Sequence, residues 1–224
     1  MIQPAAKGTI MVFARSPVPG RTKTRLIPAL GAVGAAHLHA YLIDRTLAMV
    51  TAIDNVNVTI WCMPSPNDPF FQLCEERYGV GLSTQHGDSV GSSMHHAFGK
   101  ALKTAPWAIV LGTDCPELQI DDVQRAIEAM QNGMDAVAGP AYDGGYYLLG
   151  LRQAPPRLFE NIPWGTEQVW VMTQDRLRTL GWSWATIARR HDLDRPEDLE
   201  HLKQAEFEPR RLGHILGSPE WLPG

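Results

Sequence analysis

Four basic side chains occur in one short loop near the start of the chain: Arg15, Arg21, Lys23 and Arg25. Two prolines stiffen this loop, and Gly20 permits a close backbone approach or a positive φ. Arginine binds phosphate oxygens through paired donors and lysine as a point charge, so the loop favours a di- or triphosphate ligand. The alternative is a solvated basic loop. The loop does not carry the GxxxxGK[ST] pattern of a Walker A loop.

Three aspartates follow apolar or extended segments and are candidate ligands of a divalent cation. Asp114 comes just after the apolar run WAIVL and lies between a glycine and a proline, and Asp192 and Asp194 are two residues apart. Hard cations such as Mg²⁺ or Mn²⁺ prefer oxygen ligands and often bind one or two carboxylates plus substrate phosphates. The alternatives are an Asx turn or helix cap at Asp114 and a helix start at Asp194. The sequence leaves both interpretations open.

A glycine pair follows a fourth aspartate, in the segment Asp143-Gly144-Gly145. This carboxylate can accept from sugar hydroxyls or act as a base, although Asp-Gly is also a common hairpin turn. Trp164 is a candidate pocket wall, with packing as its alternative role. Cys115 is a poor candidate nucleophile, because no histidine is fixed beside it in sequence. The histidines are interpreted as surface residues or as residues behind the site: His37, His39, His95 and His96.

Alternating strands and helices must position these residues. Periodicity predicts strands over 9–14, 56–62, 107–111, 135–138, 146–151 and 182–187, and helices over 34–52, 90–102, 118–130, 165–180 and 196–203. The class is therefore α/β, with a mostly parallel central sheet and helices on both faces. Ligands of such sheets bind beyond the carboxyl ends of the strands, and the basic loop and Asp114 both follow strands.

Composition narrows the class of protein further. Lys plus Arg is 20 and Asp plus Glu is 24, a net charge of −4, which argues against a nucleic-acid binder with a broad basic face. The three cysteines form no CxxC pair, which fits a reducing compartment. No apolar run approaches the roughly 20 residues that span a bilayer. We therefore expect a cytoplasmic protein with no membrane span, formed by one domain over residues 1–224.

Six motifs in order resemble the DUF2064 group of glycosyltransferase-like proteins, within the nucleotide-diphospho-sugar transferase (GT-A) superfamily. The resemblance covers about residues 9–203. In chain order the motifs are Arg15-x-Pro17-x-Pro19-Gly20-x-x-Lys23-Thr24-Arg25-Leu26, Gln85-x-Gly87-Asp88-x-x-Gly91, Gly112-Thr113-Asp114-x-Pro116, Gly139-Pro140 with Asp143-Gly144-Gly145-Tyr146-Tyr147, Trp164-x-Thr166, and Asp192-x-Asp194-x-x-Glu197-Asp198-Leu199. Many glycosyltransferases of this superfamily have Asp-x-Asp where this chain has Gly112-Thr113-Asp114.

The resemblance implies a GT-A-like fold with a nucleotide-binding half (9–111), a metal and acceptor half (112–203) and a C-terminal tail (204–224). It implies nucleotide or phosphate contacts from Arg15, Gly20, Lys23, Thr24, Arg25, Gln85, Gly87, Asp88 and Thr113. It implies acceptor contacts from Gly144, Gly145, Tyr146 and Trp164. The metal, Mg²⁺ or Mn²⁺, would be held by Asp114 with Asp192 or Asp194, and the catalytic groups would be Asp114, Asp143 and Lys23.

Two reactions and one non-catalytic role are compatible with these residues. On the resemblance we expect glycosyl transfer from a nucleotide-diphospho-sugar to a small-molecule acceptor. The alternative is nucleotidyl transfer from an NTP to a phosphorylated small molecule, which the basic loop with Lys23 favours physically and which resembles guanylyltransferases of the superfamily. A non-catalytic nucleotide-binding protein is the third hypothesis. The partners expected are small molecules without nucleic acid, and a homodimer is a candidate assembly.

Overall fold

The computed structural model describes residues 7–204, and its seven strands form one sheet. The strands are β1 (Gly8–Arg15), β2 (Val56–Met63), β3 (Gly81–Thr84), β4 (Ala108–Gly112), β5 (Ala136–Pro140), β6 (Tyr146–Leu151) and β7 (Trp184–Thr186). The helices are α1 (Ile27–Thr51), α2 (Pro69–Tyr78), α3 (Val90–Ala101), α4 (Ile120–Gln131), α5 (Val169–Leu180) and α6 (Leu199–Gln204). Short 3₁₀ turns cover Thr24–Leu26, Pro156–Leu158 and Pro196–Asp198.

The strand order is β3-β2-β1-β4-β6-β5-β7, and β6 alone among these seven strands runs against its neighbours. The carboxyl ends of β1, β4 and β5 therefore lie at the same edge of the sheet. Because β6 is antiparallel, its first residue, Tyr146, begins at that edge too. This inversion brings the turn containing Asp143 to the edge where the basic loop and Asp114 lie.

Alternation along the strands divides the core between two faces, which confirms the prediction of helices on both. Ile10 and Val12 point to the face covered by α1, α2 and α4, and Met11 points to the face covered by α3 and α5. Successive strand residues point to opposite faces, so a strand covered on both sides is apolar throughout. The buried β4 run AIVL has this composition.

Two elements, α2 and β3, were absent from the sequence-based prediction. Local signals for α2 exist in the chain: Asp68 accepts a hydrogen bond from the Phe70 amide, Pro69 is the first helical residue, and Gly79 ends the helix in the left-handed conformation. β3 has only four residues and no buried position, so its apolar pattern is weak. Boundaries also shift: α5 begins at Val169 rather than at 165, and β7 is shorter than predicted.

The first helix is longer and more apolar than the sequence-based prediction allowed. The stretch Thr24–Thr51 is long and apolar enough to cross a membrane, which corrects the expectation that no such run exists. Half of its most apolar window is buried within the protein, and the helix packs on the sheet. Core helices of α/β proteins pass the same test, so this stretch is weak support for a membrane span.

A small satellite cluster attaches the segment after β7 to the start of α1. Leu193 and Leu202 pack against Leu26, Leu38 and Leu42 there. The Leu193 amide also donates to the Asp114 carbonyl at 2.8 Å. This packing places the segment that carries Asp192 and Asp194 beside both the basic loop and the end of β4.

Candidate functional site

Lys23 has a buried side chain, whereas Arg15, Arg21 and Arg25 of the basic loop are exposed residues. Its backbone is left-handed, with a φ of 49°, and its side chain is only 4% exposed. The ammonium lies 2.8 Å from Asp114 Oδ1 and also donates to the Leu193 carbonyl. Strained backbone in a non-glycine residue persists where the surroundings fix it, and such residues cluster at functional sites. The loop is thus built to hold one ammonium group against Asp114.

Asp114 follows β4 directly, and its side chain is 53% exposed. Partial burial opposes its ionisation, but the charge of Lys23 and the hydrogen bond that Lys23 donates together hold the pKa of Asp114 below its ordinary value. A carboxylate that stays ionised and faces an open space suits a cation or a polar substrate. Lys23 and Asp114, placed by the sequence analysis at one sheet edge, are in direct contact.

A cavity of about 510 Å³ opens at this edge of the sheet. All four cations of the basic loop line it, together with the predicted site residues Thr24, Gln85, Thr113, Asp114 and Asp194. Such a volume is in the range of small-molecule sites. The cavity therefore combines a strongly basic wall with a carboxylate on the opposite element.

Arg25 and Asp194 both line this cavity and form an ion pair with each other. Both side chains are at least half exposed, so water screens the pair and its net stabilisation is small. The Asp194 amide in turn donates to the Asp198 carboxylate at 2.9 Å. In this arrangement Asp194 engages an arginine, which makes Asp192 the better candidate of the two for a cation ligand.

Asp192 belongs to a group of carboxylates that repel one another. Burial first, then the negative charges of Asp143 and Asp114, raise the pKa of Asp192 to about 7, although Lys23 opposes the shift. Asp143 Oδ1 accepts a hydrogen bond from the Gly145 amide at 2.8 Å, so this carboxylate forms an Asx turn. Its negative charge is also among the causes that raise the pKa of Asp192. Three carboxylates concentrated in this way fit a divalent cation, whose charge would relieve their repulsion.

His39, predicted from the sequence to be a surface residue or a residue behind the site, lies beside Asp114 in the structure. It is only 5% exposed, and its Nε2 lies 3.0 Å from the Arg15 carbonyl, so Nε2 must carry the proton. Its Nδ1 has no hydrogen-bond partner among the described residues and lies 3.7 Å from Asp114 Oδ1. Burial lowers the pKa of His39, against the pull of the Asp114 charge. An unpartnered buried acceptor beside Asp114 is a further feature that fits a bound cation.

The spacing of His39 on α1 held a signal for its burial. It lies four residues after Ala35 and one after Leu38, on the helix face that packs inward. A polar residue on such a face, next to a basic loop, marks a buried polar site.

The residues 85–88, of which Gln85, Gly87 and Asp88 are predicted to contact the nucleotide, have two different placements. Gln85 lines the cavity, and its amide donates to the Ala14 and Trp61 carbonyls, at 3.3 and 2.7 Å, which ties β1 to β2. Gly87 and Asp88 lie in the turn that leads into α3. Within the part of the chain that the structure describes, Gln85 and Val90 are the residues of this segment that line the cavity. Gly87 has a φ of 129°, so its role in the motif includes shaping this turn.

Close packing explains two other glycines of the motifs. A Cβ on Gly91 would lie 2.3 Å from the Trp164 indole, and one on Gly144 would lie 2.2 Å from the Glu167 carbonyl. Trp164 also contacts the Tyr146 ring edge to face, with ring centroids 6.4 Å apart. These contacts join α3, the start of β6 and the segment before α5 into one wall.

A second hollow of about 460 Å³ adjoins that wall, and it includes Trp164, Ser92 and His95. Ser89 lines this hollow while its neighbour Val90 lines the basic cavity. Both spaces are therefore lined in part by residues at the start of α3. Of the predicted acceptor residues, Trp164 lines the hollow.

Several solved structures share this fold. A protein from Desulfovibrio desulfuricans G20, described provisionally as a nucleotide-diphospho-sugar transferase, is 26% identical with a TM-score of 0.79, over 95% of both chains. A cytidylyltransferase from Leptospira borgpetersenii is 15% identical with a TM-score of 0.53, over 96% of both chains. Glucosyl-3-phosphoglycerate synthase from Mycobacterium tuberculosis, solved with Mn²⁺, UDP and glucosyl-3-phosphoglycerate, is 11% identical with a TM-score of 0.53, over 98% of this chain and 82% of its own.

The fold is thus that of the nucleotide-diphospho-sugar transferases. None of the curated proteins matches the chain. The family model DUF2064, described as an uncharacterized protein conserved in bacteria, matches residues 46–166, more than half of the chain. The chain belongs to the DUF2064 family.

Proposed function

We propose that the protein is a divalent-cation-dependent transferase that binds a nucleoside triphosphate and transfers its nucleotidyl group to a phosphorylated small molecule. The observation that carries this proposal is the convergence of Arg15, Arg21, Lys23 and Arg25 on the cavity that Asp114 faces. A triphosphate carries more charge than the diphosphate of a nucleotide-sugar, and its leaving pyrophosphate must be held.

In this reaction an oxygen of the acceptor phosphate attacks the α-phosphorus, the bond to the β-phosphate breaks, and pyrophosphate leaves. Lys23 and the three arginines would neutralise the β- and γ-phosphates. Thr113 and Gln85 would line the part of the cavity that holds the nucleotide. Asp114 and Asp192 would hold a Mg²⁺ or Mn²⁺ ion, with Asp143 close by and His39 behind Asp114. When bound, that ion would offset phosphate charge. Asp194 would orient Arg25.

The two halves of the domain would then bind different parts of the reacting complex. Residues 9–111 would hold the nucleotide, and residues 112–203 would supply the cation ligands and part of the acceptor site. The hollow beside Trp164 is the candidate acceptor space, and Trp164 in turn contacts Tyr146 of the predicted acceptor segment. Most of the predicted C-terminal tail, residues 205–224, lies outside the described residues. The cysteines Cys62, Cys74 and Cys115 are buried and unpaired, which supports a cytoplasmic location.

Glycosyl transfer is the second candidate, and the glucosyl-3-phosphoglycerate synthase solved with Mn²⁺, UDP and glucosyl-3-phosphoglycerate favours it. Here the acceptor would attack the sugar carbon and the nucleoside diphosphate would leave. Asp143, beside the glycine pair, would face the sugar hydroxyls.

Product analysis separates the candidates. The protein is incubated with Mg²⁺ or Mn²⁺ and each NTP plus phosphorylated acceptors, and in parallel with nucleotide-sugars. Pyrophosphate release that disappears in Asp114→Asn supports nucleotidyl transfer, and nucleoside diphosphate release supports glycosyl transfer. If neither product forms while nucleotides still raise the Tm, the non-catalytic hypothesis is correct.

A further inference from the structure

A second group of metal-binding residue types lies outside the cavity: Glu117, His191 and His201. Each offers one ligand atom, and these three atoms lie within 4.8 Å of one another. Glu117 Oε1 is 3.2 Å from His191 Nδ1 and 3.5 Å from His201 Nδ1. The side chains are 18%, 35% and 17% exposed, so the group is sheltered but open to solvent on one side.

The spacing of these atoms suits one small ion. Ligand atoms arranged tetrahedrally at about 2.0–2.1 Å from a common ion lie roughly 3.3 Å apart. Both distances from the Glu117 oxygen are close to that value. Two imidazoles with one carboxylate favour a borderline-soft metal ion, whereas Mg²⁺ and Ca²⁺ prefer oxygen ligands throughout.

We propose that Glu117, His191 and His201 form a binding site for a divalent transition-metal ion of the Zn²⁺ type, separate from the cation site proposed at Asp114. The three ligands come from three segments: the turn after β4, the segment after β7, and α6. Glu117 is three residues after Asp114, and His191 immediately precedes Asp192. The ion would therefore clamp together the two segments that carry these carboxylates, with α6 attached through His201.

The stacked rings of His191 and His201 must rotate before both can bind one ion. The imidazoles of His191 and His201 are stacked with centroids 3.9 Å apart and planes 8° from parallel, and Tyr142 stacks on the other side of His191. A metal ion lies in the plane of each imidazole that binds it, so two parallel rings cannot share one ion. Binding must rotate the rings about χ2, a torsion with a broad energy profile. The stack therefore opens when the ion enters.

Zinc titration of the metal-free full chain tests the proposal. By calorimetry we expect one tight site per chain that persists in a large excess of Mg²⁺. His201→Ala and Glu117→Gln should each weaken Zn²⁺ binding by more than the about 10-fold to 100-fold that loss of an outer partner of a ligand costs. His96→Ala, from the surface pair with His86, is the matched control and should bind Zn²⁺ like the wild type. Asp114→Asn should also leave this affinity unchanged, which separates the two sites.

Proton NMR of the histidine rings supplies a second measurement. The ring-current shifts of His191 and His201 should diminish as one equivalent of Zn²⁺ is added, because the stack opens. Circular dichroism without metal checks the fold of both variants, and Glu117→Gln decides if His201→Ala does not fold. The proposal is wrong if the wild type shows no stoichiometric Zn²⁺ binding, or if a folded variant keeps wild-type affinity.

Discussion

Replacing Lys23 by methionine tests the phosphate role of the basic loop most directly. Methionine keeps most of the side-chain volume but removes the ammonium, which has three donors. Two of these are used within the protein, by Asp114 and by the Leu193 carbonyl. One donor is left for a phosphate oxygen, and a hydrogen bond to a charged group contributes about 1.5–3 kcal/mol. We therefore expect NTP affinity to fall about 10-fold to 150-fold.

Isothermal titration calorimetry with each NTP in the presence of Mg²⁺ measures this loss. Lys103→Met is the matched control, because Lys103 is exposed in the turn that follows α3 and lines a different hollow. Circular dichroism and chemical denaturation establish that both variants fold. Unchanged NTP affinity in Lys23→Met, or an equal loss in Lys103→Met, would refute the assignment of the buried ammonium to phosphate binding.

Three further predictions concern the carboxylates and the glycine turn. Asp114→Asn should fold, because its amide oxygen still accepts from Lys23, yet calorimetry should show no Mn²⁺-dependent nucleotide binding; retained binding contradicts its role. The pKa of Asp192 is about 7 in the folded protein, compared with 3.8 for an ordinary aspartate in the unfolded chain. Between these two pH values the folded state binds more protons than the unfolded state, so the free energy of unfolding falls as pH rises through that range. A cation competes with this proton, so the rise in Tm caused by Mn²⁺ should be larger at about pH 8 than at about pH 6, and Asp192→Asn should flatten the difference. Gly144→Ala and Gly165→Ala both place a Cβ at positive φ, but only the Cβ at position 144 meets backbone, the Glu167 carbonyl at 2.2 Å. In urea denaturation, the free energy of unfolding of Gly144→Ala should therefore fall by about 1–3 kcal/mol more than that of Gly165→Ala. Equal losses in the two variants would contradict the packing argument.

Much of the site was predictable because parallel strands end at a common edge. Two short apolar runs, one before Arg15 and one before Asp114, were enough to predict that the basic loop and the carboxylate lie close together. Composition supplied the rest of that argument, since four cations in a stiff loop have few structural uses. The α/β class and the helices on both faces follow from the same periodicity.

The remaining features depend on tertiary packing that local patterns do not record. Nothing in the run from Tyr146 indicates that β6 is antiparallel, although this inversion brings Asp143 to the site. The pairing of Asp194 with Arg25 joins residues 169 positions apart. Likewise, the proximity of His39 to Asp114 depends on how α1 lies across the sheet, which its sequence alone does not specify.

The contact between Lys23 and Asp114 has a consequence for the order in which ligands bind. In the free protein, a tethered ammonium already balances the carboxylate that a divalent ion would need. An ion arriving alone must compete with that internal counterion, whereas a polyphosphate offers the ammonium a new partner and leaves the carboxylate free. Metal and nucleotide should thus enhance each other's affinity reciprocally, and the resting protein is protected from capturing stray cations.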